Sequence, residues 1–349
     1  MRYDKSLKKF NWHDTSRVVR YLNETSQSIG TEKELSESLF RDWHTMPGAN
    51  PLENCFISTD ETNEKSINGF IHFICEPTID RIVAIQTVKS QPNKRNITSN
   101  FEQLARQYQK SKNLKFMHVQ IPKSDPEWSN TLRNAGWVKV KEYMNLRCDT
   151  SDKLTFPEYN MPEKFSIAPL NTEMELSEFT ALQNDSFAEH WGFSPNTEEE
   201  IHRRIFMERS EEDGILVIRE NKKLAGYNWT LFASNASESI GWVSMTGVAP
   251  EFRGQRLGRA VVTAGMHHLI QKNVGAIELE VDSENIPARQ LYESLGFKMI
   301  SETEWYEYTN HRIADQYQGL IQTASFRPYS SMAEPYRPTT FLAIPDQFI

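Results

Sequence analysis

Three features that the sequence lacks narrow the class of protein. No apolar run approaches the roughly 18 residues that a membrane-spanning helix needs. The N-terminal segment MRYDKSLKKF has no apolar stretch of the kind found in secretory signals. The three cysteines, Cys55, Cys75 and Cys148, show neither metal-binding nor redox spacing. These absences predict a cytoplasmic protein with reduced thiols, no membrane segment and no bound metal.

An excess of positive charge is also lacking. The chain carries 39 Lys and Arg against 47 Asp and Glu, for a formal net charge of -8. Proteins that bind nucleic acid neutralise phosphates with clustered Lys and Arg. The charge therefore predicts no nucleic-acid partner, and it is compatible with a cationic small molecule.

Length and composition allow two domains of ordinary size. The chain has 349 residues, of which 38% are hydrophobic and 25% charged. These values give each half enough apolar residues to bury a core of its own. A chain of this size can therefore hold two copies of one domain.

The second half has the clearer pattern of helices and strands. We predict strands at 165–170, 215–219, 224–232, 240–248, 276–282 and 297–308, and helices at 173–187, 197–209, 257–272 and 287–295. Thr197 and Glu200 form a capping box at one helix start. In the strand 276–282 the apolar residues Ile277, Leu279 and Val281 alternate with Glu278, Glu280 and Asp282.

The first half repeats this order. We predict helices at 15–25, 31–44, 99–112 and 127–134, and strands at 54–58, 68–75, 81–88, 116–121 and 137–147. Gly136 ends a helix in the first half where Gly296 ends one in the second. The sequence thus predicts an α/β (α+β) protein of two tandem domains, each a mixed, mostly antiparallel sheet flanked by helices. Their expected bounds are 1–150 and 151–310, with a linker near 150–162 and a C-terminal extension at 311–349 rich in proline and aromatic residues.

The segment VAPEFRGQRLGRA, residues 248–260, predicts a phosphate-binding loop. A strand ends, Pro250 interrupts it, and the chain then enters a helix. Successive backbone N–H groups at a helix N-terminus, together with the helix dipole, bind pyrophosphate. Gly254 and Gly258 allow close approach of a ligand, and the three arginines of the loop supply local positive charge. The alternative is an ordinary glycine turn before an amphipathic helix.

This loop resembles motif A of the GNAT acetyltransferases, whose pattern is Arg/Gln-x-x-Gly-x-Gly/Ala. Gln255, Gly258 and Ala260 satisfy that pattern, whereas Arg256 stands where the more usual register has a glycine. A second resemblance follows in Asn285-x-x-Ala-x-x-x-Tyr292-x-x-x-Gly-Phe297, which matches the end of the family's catalytic domain. The resemblance covers about 165–308, and the tandem layout is similar to that of the mycothiol synthases.

The resemblance implies a reaction and a set of binding residues. The reaction is transfer of an acetyl group from acetyl-CoA to a primary amine of a small molecule, with Tyr292 as the acid that protonates the leaving thiolate. A backbone N–H at a bulge near Gly247 and Val248 would stabilise the oxyanion. The residues expected to contact the cofactor are Gly247, Val248, Arg253, Gly254, Gln255, Arg256, Leu257, Gly258, Arg259 and Asn285. Asn285 is equally well explained as a plain helix N-cap.

The general base is left open by the sequence. Related tandem enzymes carry a glutamate on the strand where this chain has Trp242. Asp282, at the end of its strand, is one substitute. Glu189 and His190, in the loop after the first helix of the second half, are two others. Loss of the proton through water is a further alternative.

The first half lacks the residues that the chemistry needs. Its matching loop, 88–97, contains no glycine and has Pro92 where backbone N–H groups are wanted. Aligning Gly136 with Gly296 places Leu132 opposite Tyr292. We therefore expect a degenerate domain that covers the working one or shapes its acceptor cleft.

Two other functions fit the same residues. One is a sensor that binds acyl-CoA without turnover, which the missing strand glutamate favours and Tyr292 disfavours. The other is a protein N-acetyltransferase, which would show an open groove in place of a closed pocket. The aromatic residues of the C-terminal extension suggest that it wraps over a domain or reaches a second subunit, so a homodimer is compatible with the sequence.

Overall fold

The structure, a computed structural model, describes residues 6–28, 34–60, 63–89, 92–150, 161–234 and 239–310. Its strands are β1 Leu7–Lys9, β2 Cys55–Thr59, β3 Ile67–Glu76, β4 Arg81–Val88, β5 Phe116–Pro122, β6 Val138–Asp149, β7 Phe165–Pro169, β8 Ser210–Glu220, β9 Lys223–Ser234, β10 Ser239–Val248, β11 Ala276–Asp282 and β12 Lys298–Thr309. Its helices are α1 Thr15–Ser28, α2 Glu37–His44, α3 Pro51–Asn54, α4 Lys94–Lys112, α5 Pro126–Asn134, α6 Thr172–Phe187, α7 Glu198–Ile205, α8 Leu257–Gln271 and α9 Ile286–Ser294. None of the helices in these ranges is both long and apolar enough to cross a membrane.

The predicted order of elements is confirmed in both halves, with small differences at the ends. The capping box of Thr197 and Glu200 is present at the start of α7. Helix α4 begins at Lys94, five residues before the predicted start at Ser99, because the polar segment there continues the helix. The short elements β1 and α3 were not predicted, since three or four residues carry no readable periodicity. The C-terminal extension and most of the linker lie outside the described residues.

The chain divides into two compact units. The described residues of the first unit lie within 6–25, 48–141 and 303–310, and those of the second within 26–47 and 142–302. This division differs from the sequence halves 1–150 and 151–310. Helix α2 and the C-terminal part of β6 belong to the second unit, and the C-terminal part of β12 belongs to the first.

The first unit contains a mixed sheet in the order β1-β2-β3-β4-β5-β12. Only β4 and β5 are parallel, and the other pairs are antiparallel. Helix α4 covers one face with Phe101 and Leu104, which pack in a cluster with Ile71, Val119 and Tyr306. Each of these side chains is almost fully buried, so the apolar stripe of α4 and the inward side chains of the strands account for this core.

The second unit repeats the plan in the order β7-β8-β9-β10-β11-β6. Here β10 and β11 are the parallel pair. Helix α8 covers one face, where Met266 and Leu269 pack with Ile277 and Leu279. Helix α6 covers the other face, where the Phe179 ring lies 5.1 Å from that of Tyr227. The predicted mixed, mostly antiparallel sheets flanked by helices are confirmed.

The two sequence repeats exchange their last strands. The C-terminal part of β6, the last strand of the first repeat, pairs with β11 of the second repeat. The C-terminal part of β12, the last strand of the second repeat, pairs with β5 of the first. The alternation of apolar and polar residues identifies both segments as strands, but it specifies only which face is buried and not which strand is the neighbour.

Candidate active site

The parallel strands β10 and β11 separate part of the way along the second sheet. They pair from Ile240 with Ala276 to Trp242 with Glu278. A bulge follows between Val243 and Met245, and β10 then continues in register with β9 alone, within the described part of the chain. The backbone edge of β10 that faces β11 is therefore open beyond Trp242. An extended ligand can pair with such an edge through main-chain hydrogen bonds.

The bulge was expected near Gly247 and lies three residues earlier. Gly247 is regularly paired with Tyr227. A side chain at this position would place its Cβ 2.7 Å from the Cβ of Ser186 and 2.8 Å from Cε1 of Tyr227. Glycine is therefore required because α6 and β10 approach closely here, and the predicted reason, a bulge at Gly247, is wrong.

The loop after β10 has the backbone expected of a phosphate-binding turn. Gly254 has φ +79° and Arg256 has φ +63°, both in the left-handed region. Helix α8 then begins at the buried Leu257. Among the described residues, none accepts a hydrogen bond from the backbone N–H groups of residues 254 to 259. These donors are grouped at a helix N-terminus, where an anion is favoured.

Gly258 leaves space above this loop. A Cβ at Gly258 would come no closer than 4.0 Å to Leu291 and Val248. Its φ is not in the left-handed region, in contrast to that of Gly254. The protein's own packing therefore does not demand a glycine at 258, and the open surface fits the close approach of a ligand.

Two of the three loop arginines are bound by the protein. The Arg253 guanidinium donates to the backbone oxygens of Ser186 at 3.1 Å and Val248 at 3.3 Å. It also lies 3.5 Å from the Glu189 carboxylate. Arg259 donates to Ser294 Oγ on α9 at 2.7 Å. The side chain of Arg253 thus joins the ends of α6 and β10, and Arg259 ties the loop to the helix that carries Tyr292.

Tyr292 lies in the core beside this loop. Its ring is buried with Val243 and Met266, 5.8 Å from the ring of Phe297 in an edge-to-face arrangement. Its hydroxyl makes no hydrogen bond to the described residues, and burial raises the pKa of the phenol. The phenol is thus protonated throughout the physiological range, so its hydroxyl has a proton to donate.

The residues at the start of α9 have local hydrogen bonds. Asn285 caps the helix by accepting from the N–H of Ala288 at 3.2 Å. Gln255, in the loop before α8, is half-buried. Asp282 ends β11, and its carboxylate accepts from the N–H of Glu284 at 2.9 Å. The capping role of Asn285 is therefore present whether or not the residue also contacts a ligand.

The other two candidate bases lie in the loop after α6. The Glu189 side chain is 85% exposed and is the partner of Arg253. His190 is half-buried, with its ring 4.8 Å from that of Phe187. The N–H of His190 donates to the Phe187 carbonyl at 2.8 Å. Arg253 connects this loop to the loop that follows β10.

Two polar features at the separation of β10 and β11 were not predicted. The indole of Trp242 donates to the Glu278 carboxylate at 3.3 Å, on the face away from α8. The Ser186 hydroxyl is buried beside the end of β10, and no described residue forms a hydrogen bond with it. The signal for Glu278 was present in the alternation of strand 276–282, because Glu278 shares a face with Asp282.

The first unit has the same separation of strands but not the same loop. There β4 and β5 pair only from Arg81 with Phe116 to Ala84 with Val119. The ammonium of Lys94, at the start of α4, forms an ion pair with Asp125, the N-cap of α5, and both side chains are largely buried. This ion pair links the starts of the two helices. Leu132, which stands opposite Tyr292, is 1% exposed and apolar.

The separated parallel strands, the turn onto a helix N-terminus and the strand order are those expected of an acetyltransferase fold of the GNAT type. Residues 176–297 match the acetyltransferase (GNAT) family, so the second unit contains a domain of that family.

Several named acetyltransferases are similar to this chain. A mycothiol acetyltransferase of Acidothermus cellulolyticus is 30% identical over 178 residues, which are 48% of this chain and 54% of that protein. The chain thus spans about half the length of the curated relatives it matches. A GCN5-related N-acetyltransferase of Sphaerobacter thermophilus superposes with a TM-score of 0.70 at 13% identity, over 88% of this chain and 97% of its own. A tandem GNAT protein from the clavulanic acid biosynthesis pathway does so with a TM-score of 0.65 at 13% identity, over 87% of this chain and 98% of its own. These two likenesses establish the fold.

Two glycine substitutions separate packing from ligand access. Gly258→Ala should leave the free energy of unfolding unchanged or raise it by up to about 1 kcal/mol, because alanine favours the helix, while CoA affinity falls about tenfold or more. Gly247→Ala should lower the free energy of unfolding by about 1–3 kcal/mol, because its Cβ overlaps Ser186. Chemical denaturation and calorimetric titration with CoA measure both effects. Equal CoA affinity of Gly258→Ala and the wild type would contradict the placement of the ligand.

A second pair of variants tests the left-handed backbone at Arg256. A non-glycine residue in this conformation costs about 1 kcal/mol. Arg256→Gly and Arg256→Ala both remove the guanidinium, but only glycine relieves the strain. The glycine variant should therefore be more stable than the alanine variant by about 1 kcal/mol in chemical denaturation, and both should lose CoA affinity equally. Equal stabilities would show that the backbone at Arg256 is not strained.

Proposed function

We propose that the chain is an N-acyltransferase that moves an acetyl group from acetyl-CoA to a primary amine of a small molecule, at the second unit. Two observations together carry the proposal. The edge of β10 is open beyond Trp242, and no described residue accepts a hydrogen bond from the N–H groups at the start of α8. The first offers an extended surface for a pantetheine arm, and the second a cradle for the pyrophosphate. The family of residues 176–297 supports the same activity.

The phosphate cradle consists mainly of backbone. The N–H groups of residues 254–259 would hold the pyrophosphate, and Gly258 would let it approach. Arg256 is exposed beside the helix start and would add charge. Arg253 would act indirectly, by fixing the end of β10 against α6.

The reacting groups would lie where β10 and β11 separate. A backbone N–H of β10 beyond the bulge would stabilise the oxyanion as the thioester carbonyl becomes tetrahedral. Tyr292 would protonate the leaving thiolate, and the raised pKa of its buried phenol supports the neutral, donating form. In this mechanism the amine attacks the thioester carbon directly, and no covalent enzyme intermediate forms.

The named relatives act in mycothiol acetylation, which supports a small acceptor over a protein. The second candidate function, acyl-CoA sensing without turnover, is favoured by Trp242 at the expected position of the base. Release of thiol from acetyl-CoA, measured across a library of small amines and of peptides, tests the proposal. Turnover with peptides alone would indicate a protein N-acetyltransferase. CoA binding without any turnover would indicate the sensor. A cytoplasmic location and the role of a homodimer stay predictions.

Removal of the phenol hydroxyl tests the acid. Tyr292→Phe should lower kcat by roughly ten- to a thousand-fold, the scale of general acid assistance, while CoA affinity stays nearly constant. Because the hydroxyl makes no hydrogen bond to the described residues, the variant should also keep the stability of the wild type. Single-turnover kinetics with saturating acetyl-CoA measure the chemical step. A wild-type rate in that experiment would remove Tyr292 from the mechanism.

A further inference from the structure

The proposed reaction needs a proton acceptor, and the second unit offers one beyond the predicted candidates. An alkylamine with a pKa near 10 arrives as ammonium and must lose a proton before it attacks. We propose that Glu278 is this acceptor, held in place by Trp242 and Arg147. The inference rests on the proposed function and deepens it by specifying the catalytic base of the same site.

Glu278 lies where the two strands part. It is the partner of Trp242 in the last registered pair of β10 and β11. Its neighbours Ile277 and Leu279 face α8, so the Glu278 side chain faces the opposite side of the sheet. A Cβ at Gly241 would touch Leu269 of α8, which places Trp242 on the same face as Glu278. The carboxylate thus stands next to the start of the open edge on which the thioester would lie.

Two donors hold the carboxylate. The indole N–H of Trp242 donates to one oxygen of Glu278 at 3.3 Å. Arg147 of β6 lies 3.4 Å from the other oxygen. The side chain of Glu278 remains 14% exposed, and each carboxylate oxygen can accept more than one hydrogen bond. The two donors therefore fix the carboxylate in position, and its oxygens can still accept a proton or a hydrogen bond from an ammonium.

In this arrangement Trp242, at the expected position of the base, positions Glu278. Trp242 replaces a carboxylate on β10, but its indole points to a carboxylate on the adjacent strand. Trp242 is 1% exposed and cannot itself accept a proton. The proton acceptor has in effect moved from β10 to β11, one strand away.

The charges around Glu278 come from three elements. Arg147 and Asp149 of β6 form an ion pair at 2.7 Å, next to Glu278. Arg209, before β8, stacks on the Trp242 ring with its guanidinium carbon 5.6 Å from the centroid. Glu280 follows on the same strand and face. The two acidic residues of β11 offset the arginines, so a cationic acceptor is not repelled.

The predicted candidates are less well placed. Glu189 is largely exposed and already paired with Arg253. His190 lies in the same loop, after the end of α6. The Asp282 carboxylate accepts from the backbone at the turn that leaves β11, four residues beyond Glu278. None of the three lies at the last pair of β10 and β11.

The ammonium gives one proton to Glu278, and the nitrogen lone pair forms a C–N bond with the thioester carbon. The C–S bond breaks, and its electron pair leaves with sulfur. Tyr292 protonates the thiolate and recovers its proton from the acylated nitrogen. Glu278 releases the first proton to solvent, so one ammonium and one thioester give an amide, a thiol and a proton.

The primary test is Glu278→Gln. This variant should keep wild-type CoA affinity, lower kcat/KM by about 10²–10³-fold and abolish the acid limb of its pH profile. The matched control is Glu175→Gln on α6, because Glu175 is also held by an arginine, Arg219, at 2.8 Å, and its side chain is similarly covered, 17% exposed. The control should lose stability without a change in the profile.

Two further variants separate a base from a structural residue. Trp242→Phe and Arg147→Gln each remove one donor that holds the Glu278 carboxylate, so each should lower kcat/KM in the wild type and have little further effect when combined with Glu278→Gln. A role limited to packing would lower the rate equally in both backgrounds. Asp282→Asn should leave the limb in place.

The outcomes distinguish the inference from the function on which it rests. Turnover by the wild type, with an unchanged limb in Glu278→Gln, overturns Glu278 as the base and leaves the proposed function standing. A limb lost in Asp282→Asn assigns the base to Asp282 and also overturns the inference. Absence of acetyl transfer by the wild type to any amine overturns the proposed function and the base together.

Discussion

The separation of β10 from β11 is the constraint on which the candidate site depends. Hydrogen bonding holds the two strands together only as far as Trp242 and Glu278, and the bulge after Val243 turns the remainder of β10 away. An unpaired strand edge inside a domain is costly unless a partner uses it. The open edge leads along the chain into the loop and the first turn of α8, where no described residue accepts a hydrogen bond from the N–H groups of residues 254–259.

Close packing on both sides keeps this surface open. Gly247 lets α6 press against the end of β10, and the Arg253 guanidinium holds that contact through two backbone oxygens. Arg259 ties the start of α8 to α9, which carries Tyr292. The residues that the sequence predicts to bind the ligand thus form two groups. Gly258 faces the open surface, whereas Gly247, Arg253 and Arg259 hold the surrounding elements together. In the proposed function the loop would position the ligand with its backbone, whereas Arg253 and Arg259 hold the loop itself in place.

Comparison of the two units shows which features the fold requires and which the chemistry adds. Both contain a parallel strand pair that separates, so the separation belongs to the fold. Only the second unit has a glycine turn onto its helix and a tyrosine on the following helix. In the first, the Lys94–Asp125 ion pair links the two helix starts, and Leu132 fills the core. The loss of ligand-binding residues and the gain of an internal contact are consistent with a structural role.

The sequence by itself determined the order of elements, the duplication, the glycine turn before α8 and the place of Tyr292 on α9, because periodicity, glycine turns and local spacing act over a few residues. It did not determine that β6 and β12 exchange partners, since alternation specifies a face and not a neighbour. It also could not pair Trp242 with Glu278, which are 36 residues apart. Contacts across strands depend on register, and register is decided by packing of the whole sheet. The left-handed backbone of Arg256 and the close approach at Gly247 likewise arise from tertiary packing.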